Sequence, residues 1–128
     1  MFQRDYLLRV IQQAADAIAR ALRLLVSRKE DEAEQALQEG YTALGIDREL
    51  LLLLDAASLR SQLVDDEKVA MAARLLLVDA ELCNARGESA AAARRLRAAR
   101  RLAEQVHTPD AALDADLKRV SGVLEGPG

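Results

Sequence analysis

The chain has no tryptophan, one phenylalanine and two tyrosines in 128 residues, and isoleucine and valine are scarce beside alanine and leucine. Strands draw on aromatic and β-branched residues, so a sheet has little to be built from. Only two prolines and six glycines interrupt the sequence, which leaves few points where a helix must stop. A lone cysteine, Cys83, excludes an internal disulfide and fits a reducing compartment. Charge of one sign is not in excess: 18 basic residues face 21 acidic ones, a net charge of −3. No overall field therefore draws the molecule to nucleic acid or anionic lipid. The five leucines Leu50 to Leu54 are far too few to span a bilayer. Met1 is followed by Phe-Gln-Arg-Asp-Tyr, without the basic and apolar regions of a signal peptide. These absences point to a cytoplasmic protein with no membrane role.

What is present is alanine and leucine at helical spacing. Leu7, Ile11, Ala14, Ile18, Ala21 and Leu25 form one seam of a helix expected from Phe2 to Val26. Leu8, Ala15 and Leu22 give the same helix a second apolar edge. Ser27 and Glu30 have the spacing of a capping box, which starts a second helix over Arg28 to Leu44. Gly45-Ile46-Asp47 supplies a left-handed ending, its apolar contact and the cap of the next helix. A third helix is expected over Arg48 to Val64. Its leucine run makes it apolar on every side, so it must be sandwiched or used in an interface. Asp65 and Asp66 open a fourth helix to Arg86 with the seam Val69, Ala73, Leu76, Ala80 and Cys83. After Gly87-Glu88-Ser89 a fifth follows, with the seam Ala92, Leu96, Ala99, Ala103 and Val106. Thr108 as cap and Pro109 in the first turn begin a sixth, which runs to Glu125.

Small residues recur at matching offsets in two places. Ala80 and Cys83 precede Gly87, and Ala92, Leu96 and Ala99 follow it. Ala21 and Leu24 precede a turn near Arg28, and Ala33, Leu37 and Gly40 follow it. This is the pattern of helical-hairpin repeats. The expected fold is all-α: about six helices packed as antiparallel hairpins in a tetratricopeptide-like array, with a closed helix bundle as the alternative. One domain covers residues 1–125, and 126–128 form a flexible C-terminal tail.

The opening Phe2-x-x-Asp5-Tyr6-Leu7-x-Arg9-x-Ile11 resembles the start of an uncharacterised family of short bacterial all-helical proteins. The likeness continues through Glu39-Gly40-Tyr41-x-x-Leu44-Gly45-Ile46-Asp47, and more weakly through Leu77-x-x-Ala80-Glu81-Leu82 followed by Gly87. The resemblance implies a tetratricopeptide-like fold and a bacterial cytoplasm. It implies no activity, cofactor or site.

The residue types needed for chemistry do not converge. Nucleophilic catalysis needs a base beside its nucleophile. His107 stands alone at an expected helix end, and Cys83 lies on an inner seam. Asp65, Asp66 and Glu67 are consecutive, so they splay around a helix start and serve as caps instead of metal ligands. No catalytic residue, metal site or cofactor is assigned, and the protein is not expected to be an enzyme. Two features remain. Arg94, Arg95, Arg97, Arg100 and Arg101 lie within eight residues, and Arg94, Arg97 and Arg101 share one helix face opposite the apolar seam. That stripe is either a solvated helix face or a site for an acidic peptide or phosphate-bearing partner. Nucleic acid is disfavoured by the net acidity and by the lack of aromatic residues there. Leu51, Leu53 and Leu54 are the candidates for self-association into a homodimer. The expected function is a non-catalytic protein–protein interaction module. The alternatives are a structural homo-oligomer assembled through the apolar helix and anionic-ligand or nucleic-acid binding through the arginine stripe.

Overall fold

The first helix, α1 (Phe2–Val26), has the expected bounds, but its inner face is turned towards Val10, Ala14, Ala17, Ile18 and Ala21, all buried. Leu7, Ile11 and Leu25 lie half-buried at its margin, and Leu8 projects into solvent. The computed structural model describes residues 2–126, excepting the side chain of Phe2. Pro127 and Gly128, most of the expected tail, lie outside the described residues.

Helix α2 (Glu30–Leu44) does not begin with the expected capping box. Ser27 still belongs to the last turn of α1, its N–H bonded to the Arg23 carbonyl. Arg28 takes the left-handed position (φ 60°), and Lys29 donates back to Leu24. The turn is thus closed by backbone, and Lys29 stands at the start of α2 without a side-chain cap. The turn between α5 (Asp66–Ala85) and α6 (Ser89–Ala103) repeats this geometry. Gly87 is left-handed (φ 77°) and Glu88 donates to Cys83, as Lys29 does to Leu24. Ala33, Leu37 and Gly40 in the first hairpin, and Ala92, Leu96 and Ala99 in the second, are all buried. At Gly40 a Cβ would stand 2.6 Å from Leu75 Cδ2 and 3.2 Å from Ala17 Cβ. The Leu75 side chain of α5 thus packs directly on the α2 backbone, beside Ala17 of α1.

The expected third helix is two. α3 (Arg48–Leu53) is capped by Asp47, which accepts from the Glu49 N–H, and ends as Leu54 turns extended (ψ 150°). Asp55 then caps α4 (Ala56–Leu63) through the Ser58 N–H at 2.8 Å and the Ser58 hydroxyl at 3.1 Å. A cap that satisfies orphaned N–H groups outweighs the helical preference of five leucines. Val64 closes α4 at φ 69°, ψ −60°, with the Asp65 N–H bonded to the Leu63 carbonyl in a tight three-residue turn. A β-branched residue in that region is strained.

The sandwiched helix is α5. It packs against α1, α2, α4, α6 and α7. The expected seam is buried, and so are Ala70, Ala72, Leu75, Leu77, Val78, Asp79 and Leu82. The last helix, α7 (Ala111–Glu125), is capped by Asp110, which accepts from the Leu113 N–H. Thr108 is not the cap. Its N–H, with that of His107, donates to Asp66 at 2.8 and 3.1 Å, so the loop before α7 is bound to the start of α5. Arg74 to Asp116 and Arg119 to Glu81, each 2.7 Å, fix α7 along α5. Arg86 joins the end of α5 to Asp31 at the start of α2. The result is seven helices among the described residues, an all-α fold in which α5 packs on the first hairpin and α7 on the second.

Candidate functional site

Helix α6 is made of alanine, leucine and arginine, strong helix formers that leave its faces free to be assigned by packing. Ala92, Leu96, Ala99 and Leu102 are buried. Counting about 100° per residue, the arginine cluster divides three ways around this core stripe. Arg94, Arg97 and Arg101 fall together on the far side and are exposed, as the spacing predicts. Among the described residues, no carboxylate lies within ion-pairing reach of any of the three. Arg100 lies on the flank towards α7. Its two Nη atoms hold the Glu125 carboxylate at 2.9 and 2.5 Å, and Nη2 also donates to the Ser121 hydroxyl. Arg95 lies on the opposite flank and turns inward.

Between α6, the end of α5 and the end of α7 is a groove of about 280 Å³. Ala92, Ala93, Leu96 and Leu124 form its apolar floor, and Asn84, Ser89, Arg97, Arg100 and Glu125 its polar rim. Arg97 belongs both to this rim and to the exposed stripe. The hydrogen bond from Arg100 holds the Glu125 carboxyl below its ordinary range.

Arg95 leads to a cluster that sequence spacing does not reveal. Asp79, 1% exposed on α5, accepts from the Tyr41 hydroxyl at 2.7 Å and from Arg48 Nη1 at 3.2 Å. Arg95 Nε stands 3.2 Å from its other oxygen. Arg48 also donates to Glu34 at 2.8 Å. One carboxylate therefore ties α2, α3 and α6 to α5. Burial, and then the Asp79 charge, push the Tyr41 phenol well above its ordinary pKa, which keeps it a donor. Cys83 is buried one turn further on, its sulfur 3.9 Å from Asp79, and burial raises its thiol as well. These groups neutralise and bond one another in the interior, an arrangement suited to holding helices together. The signal in the sequence was a single acid, Asp79, set against Leu75-Leu76-Leu77-Val78 where a solvated residue has no place.

The remaining sequence candidates are dispersed. Leu51 is 1% exposed and belongs to the core, so it is unavailable for self-association. Leu54 is half-buried and packed on the core. Leu53 is 71% exposed and can meet a second copy, with Leu50 beside it. His107 lies in the loop beyond α6, not at its helical end. Asp65 opens α5 without a side-chain cap, Asp66 binds the loop before α7, and neither is brought to a shared point with Glu67. Among the described residues no helix is long and apolar enough to cross a membrane. No family model, curated protein or solved structure matches this chain.

Proposed function

We propose that the chain is a non-catalytic interaction module, a short tetratricopeptide-like array that holds a protein partner on the outer face of α6. It works in the cytoplasm. The observation that carries this reading is the exposed stripe of Arg94, Arg97 and Arg101. Arg20, Arg48, Arg60, Arg74, Arg86, Arg95, Arg100 and Arg119 each have a carboxylate partner. These three, like Arg4, Arg9, Arg23 and Arg28, have none among the described residues, and they stand within two turns on one helix face. Cationic forks on a rigid helix orient an acidic partner, and an adjacent apolar groove supplies affinity. The inward placement of Cys83, Tyr41 and Asp79 supports a structural role for the groups that would otherwise suggest chemistry. The test is affinity capture from native lysate with the wild type and the R94E/R97E/R101E variant side by side. A specific protein retained by the first and lost by the second supports the reading, and identical captures refute it.

Exposed Leu50 and Leu53 on α3 favour a second reading, a homodimer assembled through that helix. A mass from light scattering that stays monomeric at high concentration refutes it. A dimer dissociated by Leu53→Glu supports it.

A further inference from the structure

The groove between α6 and α7 already holds a carboxylate of its own chain. Glu125 presents both oxygens to both Nη atoms of Arg100, the paired geometry by which a guanidinium recognises an acid. Glu125 is also the last residue of α7, where exposed carbonyl groups make a negative charge unfavourable. Its side chain is half-exposed in the pair, so water can replace Arg100 at small cost. The adjoining Gly126, at φ 72°, lets the chain diverge there. Beside this pair, Leu96 and Leu124 form an apolar floor, and Arg97 stands on the rim without a carboxylate among the described residues.

We propose that this groove seats an acidic segment of a second protein, with one apolar side chain on the Leu96–Leu124 floor and a carboxylate on Arg97, and that Glu125 is the internal occupant the segment displaces from Arg100. The proposal rests on the interaction-module reading and gives it a partner chemistry and a built-in competitor. Charge complementarity selects the occupant: two guanidinium groups flank a floor of methyl groups. Helices α6 and α7 contain no aromatic residue on which a base could stack.

The test is fluorescence anisotropy with a labelled peptide of alternating leucine and glutamate pairs. Its glutamine counterpart and a single-stranded oligonucleotide of equal charge are the comparisons. Arg97→Glu should weaken the glutamate peptide by about 10- to 100-fold, the worth of one hydrogen bond to a charged group. Glu125→Gln should tighten it by up to about fivefold, the worth of one exposed ion pair. The side-chain Nε–H resonance of Arg100 should shift on peptide addition. Both substituted side chains are exposed, and circular dichroism verifies that the variants fold. Affinities equal to wild type in both variants, or equal binding of the oligonucleotide or the glutamine peptide, overturn the proposal. So does a glutamate peptide that fails to bind even the Glu125→Gln variant. If the peptide fails while the triple-arginine variant still loses a lysate partner, the groove proposal falls and the module reading survives. If the peptide binds as predicted while the lysate captures are identical, the groove stands and the module reading falls.

Discussion

Replacing Asp79 by Asn removes one charge and nearly no volume, so its effect isolates what the buried carboxylate does. The amide oxygen still accepts from the Tyr41 hydroxyl. Arg48 keeps Glu34 at 2.8 Å. The loss falls on Arg95, which loses its charge partner and whose hydrogen bond is a 3.4 Å contact to the Ala91 carbonyl. Breaking a buried ion pair from one side costs about 3–5 kcal/mol. The Arg48 and Arg95 side chains are 18% and 14% exposed, so water recovers part of this and about 2–3 kcal/mol remains. A chain of this length has an unfolding entropy of about 0.27 kcal/mol/K, which turns that cost into a fall in Tm of about 7–11 °C. Thermal unfolding followed by circular dichroism measures it. In an Arg95→Met background the same substitution should cost about half as much, because the orphaned cation is gone. A Tm within about 3 °C of wild type, or an equal cost in both backgrounds, would refute the view that this carboxylate binds α6 to α5.

Three further outcomes follow from the backbone and from Asp66. Val64→Gly should stabilise the protein by about 0.5–2 kcal/mol, because relief of a strained left-handed turn, about 1–3 kcal/mol, exceeds the flexibility added to the unfolded chain. Denaturant unfolding with an unchanged or lower midpoint contradicts that strain. Gly40→Ala should destabilise by about 1 kcal/mol, since crowding of the fully buried Leu75 outweighs the gain in helix propensity. A higher midpoint would show that Leu75 moves aside freely. The Asp66 carboxyl is held well below its ordinary value of 3.8, foremost by the Thr108 side chain, against a desolvation that opposes it, with further help from the His107 N–H and Arg60. A depressed folded-state pKa adds stability that is full above the ordinary value and is lost as pH falls towards the folded one. The Tm gap between wild type and Asp66→Asn should therefore be widest near neutral pH and shrink progressively below about pH 4. A gap that is constant from neutral to acid pH contradicts the assignment.

The features legible in the sequence were those that one residue decides locally. Gly45 is left-handed, Ile46 returns its N–H to Tyr41, and Asp47 caps α3, each by its own stereochemistry. The hairpin offsets were legible because small residues mark close crossings wherever they occur. The break at Leu54 was missed because leucine propensity hid the cap signal Asp55-x-x-Ser58. Thr108-Pro109 looks like a helix start, yet Asp110 caps α7 through the Leu113 N–H, while Asp66 holds Thr108 against the start of α5. The exposed stripe of Arg94, Arg97 and Arg101 followed from periodicity alone. Arg95 and Arg100 did not, because their partners Asp79 and Glu125 lie on other helices, and a helical wheel says nothing about what faces it. The same limit hid the Asp79 cluster, whose members Tyr41, Arg48 and Arg95 come from three separate elements.

Helix α5 is walled in by neighbours along nearly its whole length. On the side towards α7 its rotation is marked by Arg74 and Glu81, whereas the side towards α2 and α6 is leucine, alanine and valine, and hydrocarbon alone leaves the orientation there degenerate. A single anion facing two cations and a phenol removes that degeneracy. Turning the helix by one residue, about 100°, would drive Asp79 into apolar contacts and bring an aliphatic side chain to the guanidinium groups. The leucines of α5 can therefore give way to other aliphatic residues of similar volume with modest loss, whereas Asp79, together with Arg74 and Glu81, selects the orientation. The inward turn of Arg95 follows from that one residue, while the buried stripe of Ala92, Leu96, Ala99 and Leu102 leaves Arg94, Arg97 and Arg101 on the outer face.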